Sequence, residues 1–180
     1  MRPDDDFCTH DHDHDQDHRH DSNDDDRDDD IQFGADAMYR AHGIRFRHPG
    51  DWSVSEDVGP DEITISVQSS GTSFWSLTLI DDAPDPDDII ETVLGAYRDE
   101  YEDVEVHPVT PMIRATAVAK DIDFVCLDLV NSASLLAFRT NRRTLLVVSQ
   151  GTDHELDVTR SVMESMTQSL SCDEGLSLDD

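Results

Sequence analysis

Lysine is almost missing from this 180-residue chain: twelve of its thirteen basic residues are Arg, and Lys120 is the single Lys. Against 42 acidic residues this leaves a formal charge of −29. Nucleic acid is thereby excluded as a default partner, because phosphate binding needs a stripe of Lys and Arg to displace counterions. The only basic doublet is Arg142-Arg143. An anionic membrane surface is disfavoured for the same reason. Long apolar runs are missing too, and nothing approaches the roughly 18 residues of a membrane span. Met1-Arg2-Pro3-Asp4-Asp5-Asp6 lacks the charged-then-apolar order of a signal peptide, so a cytoplasmic location is expected. Cysteine is scarce: Cys8, Cys126 and Cys172 are odd in number and widely spaced, which excludes a readable disulfide framework. Cys126 falls in the apolar run Phe124-Val125-Cys126-Leu127, where a small buried thiol is ordinary. Catalytic signatures are absent as well: no HExxH, GxSxG, CxxC, GxGxxG or Walker pattern occurs, and His42, His48, His107 and His154 are isolated in sequence. No enzyme is expected.

What is present divides the chain by composition. Residues 1–30 hold fourteen Asp, five His and three Arg, with Phe7 the only large apolar side chain after Met1. Such a segment cannot bury enough surface to offset the entropy of ordering it. Residues 1–41 are therefore expected to be a disordered His/Asp-rich acidic extension, with Ile31–Ala41 left open between a short helix and a strand. Residues 42–172 are expected to fold, and 173–180 to form an acidic tail. The acidity of the whole chain has one explanation that needs no partner. In a molar-salt cytoplasm the Debye length falls to about 3 Å, so dense carboxylates stop repelling one another and keep the protein soluble, as in a salt-in halophile. A specific cationic ligand is the competing explanation.

The sharpest local feature is Cys8-Thr9-His10-Asp11-His12-Asp13-His14-Asp15-Gln16-Asp17-His18-Arg19-His20. Imidazole, thiolate and carboxylate all ligate divalent first-row metals, and a flexible chain can wrap one ion with three or four of them. Cys8, His10, His12, His14, His18 and His20 are thus the candidate ligands, for Zn, Ni, Co or Cu. Nothing beside them supplies the rigid second layer that fixes imidazoles in an ordered site, so loose binding is the most this implies. A solvated low-complexity bristle without a selected ligand, and a pH sensor, are the other readings.

The remaining chain reads as alternating elements. Ile44-Arg45-Phe46-Arg47, the turn signal Pro49-Gly50 and Trp52-Ser53-Val54-Ser55 predict a hairpin over 43–56. Strands are expected at 63–68 and 74–80, the first presenting Ile63, Ile65 and Val67 on one face, the second Trp75, Leu77 and Leu79. Asp85-Pro86-Asp87-Asp88 starts a helix to about residue 101. Its spacing of Ile89, Ile90, Val93, Leu94, Tyr97 and Tyr101 marks a core stripe. Pro108 and Pro111 confine an extended 105–112 to a sheet edge. A meander of four strands is expected over 113–120, 122–131, 133–140 and 143–150. Thr152-Asp153-His154-Glu155 has capping-box form and opens a second helix. Its face Leu156, Thr159, Val162, Met163, Met166 and Leu170 must pack on the sheet. The expected fold class is α+β, an antiparallel sheet packed with two main helices.

In this order, Phe46-Arg47-His48-Pro49-Gly50-Asp51-Trp52, two strands, a helix carrying Tyr97 and Tyr101, the meander and the C-terminal helix resemble the Mog1/PsbP-like superfamily over roughly residues 42–170. The resemblance implies an α/β/α sandwich and the work of a small binding, assembly or chaperone-like domain, and it carries no site residue. The expected function is therefore non-catalytic binding of another macromolecule, most simply a protein. The alternative is a metal-buffering or metal-delivery protein whose N-terminal residues carry the ion.

Overall fold

The computed structural model describes residues 35–111 and 117–173, with the backbone of 176–177. Among these, the elements run β1 (Asp36–Ala41), β2 (Ile44–Pro49), β3 (Ser53–Val58), β4 (Glu62–Gln68), β5 (Phe74–Ile80), α1 (Pro86–Glu100), β6 (Glu105–Val109), β7 (Val118–Cys126), β8 (Leu129–Arg139), β9 (Thr144–Thr152), α2 (Asp153–Gln168), β10 (Ser171–Cys172) and β11 (Leu176–Ser177). One sheet has seven strands in the order β3-β4-β5-β9-β8-β7-β6, the other four in the order β1-β2-β10-β11. Every pairing is antiparallel.

The seven-stranded sheet is the middle layer, because its central strands are apolar on both faces. On one face Ala133, Leu135 and Ala137 of β8, Ile122 and Phe124 of β7 and Leu146 of β9 close against Ile90 and Leu94 of α1. On the other, Trp75, Leu77 and Leu79 of β5, Ile65 and Val67 of β4 and Leu145 and Val147 of β9 close against Leu156, Met163 and Met166 of α2 and against Phe46 of the small sheet. Both expected helical stripes are thus core: Tyr97 and Tyr101 stack around Phe124 at centroid distances of 5.2 and 4.4 Å, and Met163 and Met166 are buried. The architecture is the α+β fold expected, helix over sheet over helix, with the small sheet beside α2.

Helix α1 begins as its sequence dictates. Asp85 accepts from the Asp87 amide at 3.0 Å, Pro86 occupies the first turn, and Asp87 and Asp88 sit at the positive end of the dipole. The loop before the helix is tied down by two arginines. Asp81 pairs with Arg143 at 2.8 Å, and the Ala83 carbonyl accepts from Arg139. β6 is an edge strand, where the missing N–H of Pro108 leaves a gap in the donor row offered to water.

Five details differ from the sequence reading. First, the ordered domain begins before His42: Asp36–Ala41 is β1, with Tyr39 buried in the core. Second, residues 43–56 are not a hairpin. β2 pairs with β1 through the two-residue turn His42-Gly43, where φ is 54° and 78°, the geometry of a tight hairpin. The Pro49–Trp52 turn instead carries the chain from the small sheet to the large one, and β3 pairs with β4. Trp52 is buried at that crossing.

Third, the meander described has three strands rather than four. Lys120-Asp121 and Asn131-Ser132 lie inside β7 and β8, and the reversal is at Leu127-Asp128, both left-handed. Residues 112–116, assigned to the first expected strand, lie outside the described residues. Fourth, the capping box does not close. Thr152 makes no side-chain cap bond, and Glu155 reaches instead to the β4–β5 loop, accepting from the Thr72 amide at 3.0 Å, the Thr72 hydroxyl at 2.6 Å and the Ser73 hydroxyl at 2.9 Å. Burial alone would raise its pKa, but these hydrogen bonds outweigh burial and hold the Glu155 carboxyl below its ordinary range. Fifth, the chain beyond Cys172 pairs again, as Leu176–Ser177 forms a two-residue strand on β10.

Candidate binding cleft

α2 covers only part of its face of the large sheet. Among the described residues, strands β6, β7 and the near half of β8 extend past it, and this corner of the sheet forms a cleft of about 280 Å³. Strand register lays its floor in rows. Val109, Ala119, Leu136 and Val147 are successive cross-strand partners on β6, β7, β8 and β9, which makes one apolar row. His107, Asp121, Ser134 and Ser149 make the next, polar throughout, of which Asp121, Ser134 and Ser149 line the cleft, and Glu105, Asp123, Ser132 and Gly151 form a row beyond it. Glu164, Thr167 and Gln168 of α2 form the wall, and Thr110-Pro111 the lip. This wall is fixed from beneath, since Trp75 donates its indole N–H to the Thr167 hydroxyl at 2.9 Å.

The polar rows are joined by hydrogen bonds. His107 Nε2 lies 2.9 Å from Asp123 Oδ2, Ser132 donates to Asp123 Oδ1 at 2.5 Å, and the same hydroxyl is 3.2 Å from Asp153 Oδ1. Serine, aspartate and histidine are all present, but the carboxylate lies between the other two. Acyl transfer needs the imidazole beside the hydroxyl so that a base can take its proton. Here the hydroxyl bonds directly to carboxylates, and His107 serves as a partner for Asp123. The arrangement suits recognition of donors, with an apolar row for grip and carboxylates to accept N–H bonds.

The other histidines are structural or solvated. His48 is buried and its Nδ1 lies 2.8 Å from the Pro49 carbonyl oxygen. His42 pairs with Glu56 at 2.9 Å, and His154 is exposed on the first turn of α2. The bonds from His42 and then Tyr39 hold the Glu56 carboxyl low, and they tie the β1–β2 hairpin to β3. Cys8, His10, His12, His14, His18 and His20 lie outside the described residues. Among the described residues no group of three or more His, Cys, Asp or Glu has the geometry to hold a metal ion. No helix among them is long and apolar enough to cross a membrane. Sequence reasoning missed the cleft because its floor is made by strand register, and the alternating Val-His-Pro-Val of β6 was its only local trace.

No family model matches the chain, and no curated protein matches it. It is similar in structure to cyanobacterial PsbP (CyanoP) of Synechocystis sp. PCC 6803, at 13% identity and a TM-score of 0.47 over 79% of this chain and 95% of that one. It is also similar to the Pseudomonas aeruginosa protein PA94, whose function is unknown, at 15% identity and a TM-score of 0.43 over 77% and 97%. LpqN of Mycobacterium tuberculosis, involved in cell envelope biogenesis, aligns at 9% identity and a TM-score of 0.46 over 76% and 90%. A PsbP, the kind of protein named in the sequence resemblance, is among these similar structures.

Proposed function

We propose that the protein is a non-catalytic domain that binds a segment of another protein in the cleft between α2 and strands β6–β8. The observation that carries this reading is the sheet corner beside α2, where an apolar row borders a polar one that brings Asp121, Ser134 and Ser149 into the cleft. A segment presenting aliphatic side chains flanked by Arg or Lys fits it, because Asp121 and Glu164 both line the cleft.

The test is a pull-down at the protein's native salt with three baits: the full chain, a chain lacking residues 1–30, and Ala119→Arg, which fills the middle of the apolar row. Capture by the first two and loss with the third is the expected result. Retention by Ala119→Arg, or loss on deleting 1–30, overturns it. The second reading, metal buffering or delivery, rests on Cys8, His10, His12, His14, His18 and His20. It predicts that the deletion lowers metal tolerance and cellular metal content, and no change in either removes it.

A further inference from the structure

The β7–β8 hairpin ends in Val125-Cys126-Leu127-Asp128-Leu129-Val130 and reverses through Leu127 and Asp128, with φ of 53° and 63°. Two consecutive left-handed residues make a hairpin turn whose twist matches the strands, and Asn, Asp or Gly ordinarily fills such positions. Leucine has no polar group to bond to its own backbone there, so its left-handed conformation is uncompensated. Yet this side chain is 90% exposed, and Val125, Leu129 and Val130 around it are 52%, 55% and 49% exposed. Val125 and Val130 are cross-strand partners on the cleft side of the sheet, while Leu129 opposes Cys126 on the α1 side. A single exposed aliphatic residue calls for no explanation; four gathered around one hairpin tip, on both faces and at its end, are a concentration of the kind that marks an interaction site.

Carboxylates surround the patch. Asp128 is in the turn itself. Asp123 and Asp153 meet at Ser132, just behind the tip, and the Glu102-Asp103 loop follows Tyr101, whose ring lies 4.4 Å from Phe124. Among the described residues, the basic groups nearest these carboxylates are His107, which bonds to Asp123, and Arg98, which extends to within 4.0 Å of Glu91.

We propose that the Val125–Val130 tip is a knob that docks into an apolar pocket rimmed by Arg or Lys on a partner protein. Charge complementarity selects this occupant, since a basic rim is attracted and oriented by the carboxylates around the tip. A second copy of the chain would set the same carboxylates against one another, and an anionic lipid surface would be repelled. The tip lies about 20 Å along β7 from Ala119, taking roughly 3.3 Å per residue. The cleft lining ends on β7 at Asp121, short of the tip, so the tip is a surface outside the cleft, and its failure would leave the cleft reading intact.

The experiment uses the full chain with the photocrosslinker p-benzoylphenylalanine at Leu127, irradiated in the source cells, with the same group at Asp57 on exposed β3 as control. Adducts are mapped by mass spectrometry, and the partner is purified and titrated with wild type, Leu127→Asp and Leu127→Met. The proposal expects an adduct on an apolar segment flanked by Arg or Lys. Leu127→Asp should weaken binding about tenfold or more, the loss of a buried anchor; Leu127→Met should bind as wild type does, and added salt should weaken the complex. Each of four results overturns it: adducts only to a second copy, adducts no more frequent than from Asp57, Leu127→Asp binding as tightly as wild type, or flotation of wild type but not Leu127→Asp with phosphatidylcholine vesicles.

Discussion

Replacing Phe46 by Ala tests whether the small sheet shares one core with the large one. Phe46 belongs to β2, yet its side chain is fully buried, with its ring 4.9 Å from Tyr39 and 4.7 Å from Trp75 of β5. Truncation removes the transfer free energy of the ring and leaves a cavity that neighbours held by two sheets and α2 cannot fill. Phe→Ala changes of this kind cost about 3–5 kcal/mol, and losing two ring contacts places this one in the upper half of that range. A domain of this size holds only about 5–15 kcal/mol in total. With a urea slope near 2 kcal/mol per molar, a loss of about 4 kcal/mol lowers the midpoint by about 2 M. Trp52 and Trp75, the two tryptophans, both lie in this core, so their fluorescence reports the transition directly. A midpoint shift below about 0.5 M at unchanged slope would refute the reasoning, because the β1–β2 hairpin would then contribute little to the cooperative unit.

Other perturbations follow from the same contacts. A Cβ at Gly151 would meet the Ser73 hydroxyl at 2.6 Å and Leu156 carbons at 3.2 Å, so Gly151→Ala should cost about 1–3 kcal/mol and release the loop that Glu155 clamps, read as faster amide exchange at Thr72. Glu155 has its pKa held below the ordinary 4.5, so its contribution is present above that value and is lost as pH falls through the depressed folded value. Glu155→Gln should flatten this part of the acid unfolding curve, by a small amount because the group is only half-buried and solvent screens it. Burial, and then the charge of Tyr101, push Tyr97 up to about 12. Its phenol should therefore stay protonated in an absorbance titration through pH 10, and Tyr97→Phe should cost about 1 kcal/mol by losing the 2.6 Å bond to Gln150. Asp85→Ala should cost about 1 kcal/mol through loss of the α1 cap.

Local physics made much of the fold legible. Ile65, Val67, Trp75, Leu77 and Leu79 alternate because one face of β4 and β5 is core. The Asp85-Pro86 cap and the prolines around β6 mark a helix start and a sheet edge for reasons confined to a few residues. What stayed hidden depends on partners distant in sequence. β1 has only Tyr39 buried among six residues, so its alternation is too faint to read, and its turn is His42-Gly43 rather than Asn-Gly. The reversal at Leu127 is hidden because an exposed leucine looks like core. Glu155 was assigned to a capping box three residues back, but the donors at Thr72 and Ser73, more than eighty residues away, compete for the same carboxylate. The cleft is the extreme case. Val109, Ala119, Leu136 and Val147 become one row only when β9 settles between β5 and β8.

Amide hydrogen exchange of the full chain, alone and with the protein it captures, tests the binding cleft most directly. The account predicts slowed exchange along β6 and Thr110, and in the last turn of α2 around Glu164–Gln168, with the edge amides of β3 unchanged. Protection confined to residues 1–30, with β6 exchanging as in the free chain, would contradict it.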